Sequence, residues 1–164
     1  MIEPKERWTL FGCIVVVLAT LLACKKKPPT QINLTANPRT AVGRYYTLTV
    51  DSAKTCEVKE EYLQPKKGNI LLGVDMIVEA IGDERVGVWD HEMKLVDLKG
   101  QEYKSSLARC APALDFGRYL EKHQTLRGIL TFEVPETTSG VTLVFSNVIS
   151  PAIGMDETRV QLSR

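Results

Sequence analysis

From Gly43 onward, apolar and polar residues alternate in short runs with a period of two, the signature of half-buried strands. Tyr45, Thr47 and Thr49 alternate with Tyr46, Leu48 and Val50. Thr55–Leu63 reads as a second, more polar strand carrying Cys56, Val58 and Tyr62, and Pro65-Lys66-Lys67-Gly68-Asn69 reads as a turn. Ile70–Ile81 is the strongest strand. Ile70, Leu72, Val74, Met76, Val78 and Ala80 fall on one face, and Asp75 and Glu79 place solvent-facing carboxylates on the other. Val86–Asp90 reads as a short or edge strand containing Trp89. Glu92–Leu98 and Gln101–Lys104 flank Lys99-Gly100, a hairpin signal whose glycine can take a positive φ. Thr125–Val134 alternates again, with Leu126, Gly128, Leu130, Phe132 and Val134 on one face, and Pro135 ends it. Val141–Ser146 and Thr158–Leu162 supply the last strands. Ser105–Gln124, interrupted by Cys110, Pro112 and Gly117, reads as a long loop with one helical turn near Phe116–Leu120. No long amphipathic helix follows Cys24. Seven to nine short antiparallel strands predict an all-β sandwich.

The amino-terminal pattern is different. Met1–Arg7 mixes Lys5 and Arg7 with Glu3 and Glu6, and Trp8–Ala23 then carries no charge. About 16 residues of helix would span roughly 24 Å, short for a bilayer core of about 30 Å and suited to the apolar region of a signal peptide. Apolar residues on every side exclude an amphipathic core helix. Leu21-Leu22-Ala23-Cys24 resembles a lipobox, which implies thioether lipidation of Cys24, cleavage before it and acylation of the new amino group. Several acyl chains together would anchor the protein stably. The alternative is an uncleaved membrane anchor stopped by Lys25-Lys26-Lys27, and both readings leave a tethered domain. The chain then divides into a cleaved signal peptide (1–23), a lipidated cysteine with a flexible, basic, proline-bearing tether (24–41) and one folded domain (42–164). The expected location is the bacterial cell envelope. That means the outer membrane facing the periplasm in a Gram-negative cell, as Lys25 after the cysteine favours, or the outer face of the cell membrane in a Gram-positive one.

Cleavage removes 23 of the 164 residues and leaves 141, enough for one domain with a proper core. The formal net charge stays at +1 and the basic residues are scattered, which argues against nucleic-acid binding. Of the four cysteines, Cys13 leaves with the signal and Cys24 is lipidated. Cys56 and Cys110 remain, and in an exported protein they are expected to form a disulfide.

The chain contains no phosphate-binding glycine loop, nucleophile elbow, zinc-protease helix motif or Cys-x-x-Cys pair. Asp90-His91-Glu92, with Met93, is the one compact polar cluster that could ligate a metal, although a surface turn between strands yields such a triplet easily. His123 reads as a solvated loop residue, Asp156-Glu157 as a polar turn, and Asp75 and Glu79 as solvated strand positions. Trp89 reads as an edge-packing aromatic before a ligand platform. We therefore expect no cofactor, no resident metal and no enzymatic activity.

Several stretches together resemble a known family: Gly43–Val50, Gly68-Asn69 through the strand to Glu79, Leu95-Val96-Asp97 with Gly100 and Tyr103, and Gly128-Ile129-Leu130-Thr131-Phe132-Glu133-Val134-Pro135. The chain is similar to bacterial extracellular domains of unknown function related to immunoprotective secreted antigens. The resemblance covers about Val42 to Phe145 and implies an immunoglobulin-like β-sandwich behind a lipobox and tether. It transfers no catalytic residue. One departure stands out: the family's Pro-Gly ahead of the Gly128-like glycine is replaced here by Leu120-Glu121-Lys122-His123. Two functions follow as expectations. The first is an envelope-tethered protein-interaction or structural module. The alternative is a small-ligand or metal carrier using a pocket near Trp89, His91 and the Cys110 loop.

Overall fold

A computed structural model describes residues 30–37, 39–150 and 154–164 of the chain. The segment expected to be a signal peptide (1–23) and Cys24 lie outside the described residues. Eleven strands follow in order: β1 (Asn33–Ala36), β2 (Thr40–Val42), β3 (Tyr46–Cys56), β4 (Asn69–Ala80), β5 (Val86–Val88), β6 (Met93–Asp97), β7 (Glu102–Lys104), β8 (Arg118–Leu120), β9 (Thr125–Pro135), β10 (Gly140–Ser150) and β11 (Gly154–Ser163). Eight of them form one antiparallel path, β7-β6-β10-β11-β1-β3-β4-β9, with β2 added on β3 and with β5 and β8 paired separately. The path curls until its two ends meet: Ser105, just past β7, bridges to Phe132 of β9, and the Ser106 N–H donates to the Thr131 carbonyl at 2.7 Å. The result is an all-β, immunoglobulin-like antiparallel sandwich, nearly closed into a barrel. Closure removes the open sheet edges that would otherwise template pairing with other chains.

The inner face is the one the alternation marks. Leu72, Val74, Met76 and Val78 of β4 are fully buried, as are Phe132 and Val134 of β9 and Leu143 and Phe145 of β10. Each such side chain contributes about 1.5–3 kcal/mol by leaving water. β3 departs from strict alternation. Val50 pairs with Met76 and Ser52 with Asp75, so Asp51 is an extra, bulged residue. The bulge shifts the inward parity from Tyr46, Leu48 and Val50 to Ala53, which is why one strand reads as two in the sequence. Accordingly β3 runs on to Cys56, and Thr55–Leu63 is not a separate strand but the end of β3 followed by a 3-10 turn at Glu61–Leu63.

Two further expectations are corrected. The stretch read as tether contributes to the fold: Ile32, Leu34 and Ala36 are buried, and β1 lies between β3 and β11. The packed domain therefore begins near Ile32, ahead of Val42. In the 105–124 segment, Arg118–Leu120 is strand β8 and not a helical turn, because it pairs residue for residue with Val86–Val88.

Cys56 and Cys110 form a disulfide with Cα atoms 6.1 Å apart. The bridge crosses the outer face of β4 at Gly73, where a Cβ would lie 3.3 Å from the Cys56 sulfur. It helps hold the 105–114 segment along the outer edge of β9. There the Ile129 N–H donates to the Pro112 carbonyl at 2.7 Å, the Leu114 N–H to the Ile129 carbonyl at 3.0 Å, and the Cys110 N–H to Thr131 Oγ1 at 3.0 Å. Gly128 makes this approach feasible, since a Cβ there would lie 2.5 Å from Leu114 Cα.

The antiparallel register gives the sandwich two distinct ends. At the base lie the start of β1, the β3–β4, β6–β7 and β9–β10 connections and the end of β11. At the crown lie the β2–β3 turn, the β4–β5 and β8–β9 connections, the β10–β11 hairpin and the Trp89–Glu92 segment. The chain comes in at the base, where the Thr30 hydroxyl donates to Glu136 at 3.2 Å and the Ile32 N–H to Thr55 Oγ1 at 2.8 Å.

Candidate functional site

The crown holds a buried polar network under an exposed apolar surface. On β10, Val141, Leu143, Phe145 and Asn147 share the inward parity; on β11, Thr158, Val160 and Leu162 do. Inward polar residues need partners. The buried Tyr46 hydroxyl donates to the Phe145 carbonyl at 3.0 Å and lies 3.1 Å from Thr158 Oγ1, while its ring packs on Phe145 with centroids 4.7 Å apart. Burial drives the Tyr46 phenol well above its ordinary pKa, so it stays protonated and serves only as a neutral hydrogen-bonding group. The Asn147 amide N–H group donates to the Gly87 carbonyl and, at 3.3 Å, to Glu92. Its Oδ1 is buried with no partner among the described residues.

Glu92 ends a 3-10 turn, Asp90–Glu92, closed by its N–H to the Trp89 carbonyl at 3.2 Å. Its carboxylate also accepts the Val148 N–H at 3.4 Å. Burial holds the Glu92 carboxyl above the ordinary carboxylate range, opposed by the N–H groups that face it. His91 points the other way: its Nδ1 is 3.7 Å from Asp90 and its side chain is 75% exposed. The Asp90-His91-Glu92 triplet thus splits, two members outward and one inward. Among the described residues no group of three metal-binding side chains converges.

Trp89 packs on Gly87, whose added Cβ would lie 2.5 Å from the indole Nε1, and meets Tyr119 edge-on at 5.7 Å. The Arg85 guanidinium stands over the Tyr119 ring at 5.1 Å. The Cys110 bridge sits instead over Gly73, nearer the base, so the structure does not join it to Trp89 and His91 in one pocket. At the same end, Val148 and Met155 face each other across the β10–β11 hairpin and are 57% and 66% exposed. Sequence reasoning singled out Trp89 and missed this hairpin pair. The usable signal was the parity of β10, which sends Asn147 inward and therefore Val148 out.

The remaining candidates are dispersed. Arg127 pairs with Asp75 at 3.4 Å and with Asp51 at 3.2 Å on the outer wall, away from Glu79's own position farther along β4. Asp156 accepts the Arg44 N–H at 2.6 Å and pins the β2–β3 turn to β11, and Glu157 accepts from Ser146 and Arg159. His123 sits in the β8–β9 turn with φ at 66°. An open cleft of about 510 Å³ lies at the base, lined in part by Asp97, Leu98, Tyr103, Pro135 and Gly140.

Together these features describe an all-β sandwich domain with exposed apolar side chains at its crown. The chain belongs to the family described as a domain of unknown function (DUF4352), which matches residues 39–153. Its fold is similar to that of ycdA, a candidate lipoprotein of Bacillus subtilis, with a TM-score of 0.63 and 12% identity over 76% of this chain. The match covers 38% of ycdA's own length. A functionally unknown protein of Listeria monocytogenes matches with a TM-score of 0.57 and 14% identity, covering 80% of this chain and 85% of that one. The yjhA protein of Bacillus subtilis matches with a TM-score of 0.52 and 19% identity, covering 67% and 78%. No curated protein matches the sequence.

Proposed function

We propose that the chain is a bacterial cell-envelope lipoprotein, anchored through Cys24, whose sandwich is a non-catalytic protein-interaction module that contacts its partner with the crown. The observation that carries this reading is that the exposed Val148–Met155 pair shares one end of the sandwich with Trp89, Tyr119 and Arg85. Aromatic, methionine and arginine side chains are the types enriched at protein interfaces; Tyr119 and Met155 are held on paired strands, and Arg85 and Trp89 flank β5. The description of ycdA as a candidate lipoprotein agrees with an extracytoplasmic setting, and kinship with the immunoprotective secreted antigens belongs to the same reading.

Site-specific photocrosslinking in cells tests it. A crosslinking residue at Met155 or Tyr119 should give one discrete protein adduct, lost in Trp89→Ala, whereas the same residue at exposed Lys54 on the wall should give none. Equal labelling at all three positions, or none at any, would count against the crown.

A further inference from the structure

We propose that the base of the sandwich rests on the bilayer that carries the anchor, with Tyr62 and Leu98 entering the headgroup region. The inference rests on the reading of Cys24 as the lipidated residue. Only Lys25 to Pro29 separate Cys24 from Thr30, so this connection reaches at most about 20 Å. Thr30 is fastened at the base through Glu136, and Ile32 through Thr55. The anchor therefore holds the base near the lipid surface, while the twelve-residue β4 places the crown up to roughly 40 Å away.

Two large apolar side chains stand out at the base. Tyr62, in the β3–β4 connection, is 84% exposed, and Leu98, at the tip of the β6–β7 hairpin, is 74% exposed. The geometry of that hairpin suits a lipid surface. The Asp97 carboxylate is turned back into the turn, where it accepts the Lys99 N–H at 2.8 Å, the Gln101 N–H at 2.9 Å and the Tyr103 hydroxyl at 3.0 Å. The tip thus presents Leu98, Lys99 and Gly100, with Gly100 in the left-handed conformation at φ 83°. Tyrosine is a residue type favoured at the water–lipid boundary, where the ring sits among headgroups and the hydroxyl stays wet. Lys59, Lys66, Lys67 and Lys99 share the base with Glu57, Glu60, Glu61 and Glu136, so its own connections bring no net charge. Attraction to anionic headgroups rests on Lys25, Lys26 and Lys27, and Tyr62 and Leu98 supply the apolar contact.

The test uses the full lipoprotein in vesicles of phosphatidylethanolamine with phosphatidylglycerol, its lipidation verified by intact mass. A polarity-sensitive fluorophore is placed on a single added cysteine: Leu98→Cys, Tyr62→Cys or Met155→Cys. Cys56 and Cys110 are bonded to each other and do not compete for the label. The expected result is a blue-shifted emission at positions 62 and 98, lost on quenching by brominated lipid, with neither effect at 155. Water-like emission at 62 and 98 in lipidated protein would overturn the docking and leave the anchor standing. A blue shift untouched by brominated lipid would also overturn it, since a protein would then cover the base. An unmodified Cys24 would remove the anchor itself and the proposal with it.

Discussion

Tyr46, Thr158 and Asn147 are polar residues on parities that otherwise point Leu48, Val160 and Phe145 into the core. Each is legible in the sequence as an exception to its strand's alternation. Their partners are not, because Tyr46 finds the Phe145 carbonyl 99 positions along the chain. Removing the hydroxyl in Tyr46→Phe should lower stability by about 1–2 kcal/mol in chemical denaturation, since Thr158 and a carbonyl lose a partner in a dry site. Glu92 gives a pH-dependent prediction. Its folded-state pKa is raised, so the native state binds more protons than the unfolded chain, and its contribution to stability fades as pH rises through that range. Glu92→Gln carries no such charge. Its stability relative to the parent should be highest near about pH 7 and should shrink on acidification toward about pH 4, read by thermal melts across that range.

Short elements are where strand patterns lose their meaning. β1 has four residues and β8 three, too few for alternation to rise above chance, so β1 was hidden in a basic, proline-bearing stretch and β8 in a loop. β4 and β9, at 12 and 11 residues, were fully legible. The β8–β9 turn accounts for the family departure noted above. Gln124 N–H donates to the Glu121 carbonyl at 2.9 Å, and His123 at φ 66° takes the third position of a type II turn, so Lys122-His123 stand where Pro-Gly would be favoured. His123→Gly should therefore raise stability by about 0.5–1 kcal/mol in urea unfolding, having relieved the left-handed strain of a side-chain-bearing residue. Gly128 in β9 predicts the opposite sign. In Gly128→Ala the new methyl would press on the Leu114 backbone, which belongs to a hydrogen-bonded strap with little room to move. A loss of about 1–3 kcal/mol is expected, with faster amide exchange at Leu114 and Ile129.

At the scale of the molecule, the all-β architecture was legible because the long strands dominate the core, but closure was not. It depends on Ser105 and Ser106 meeting Phe132 and Thr131, contacts with no periodic signature. Equally, the crown surface emerges only when β5, β8 and the β10–β11 hairpin are brought to one end. The disulfide acts at this scale too. Its sequence separation of 54 predicts, from loop entropy, that Cys56→Ala with Cys110→Ala costs about 4 kcal/mol in denaturation midpoint analysis. The same variant should show early exchange loss along the outer edge of β9 before the rest of the sandwich opens.

The position of β1 between β3 and β11 sets an order of events during biogenesis. A chain delivered amino end first presents β1 and β3 early, yet one flank of β1 stays unpaired until the last strand of the sheet arrives. The sandwich can close only once β11 has been made, so the first strand waits in an open chain until the final strand locks it in place.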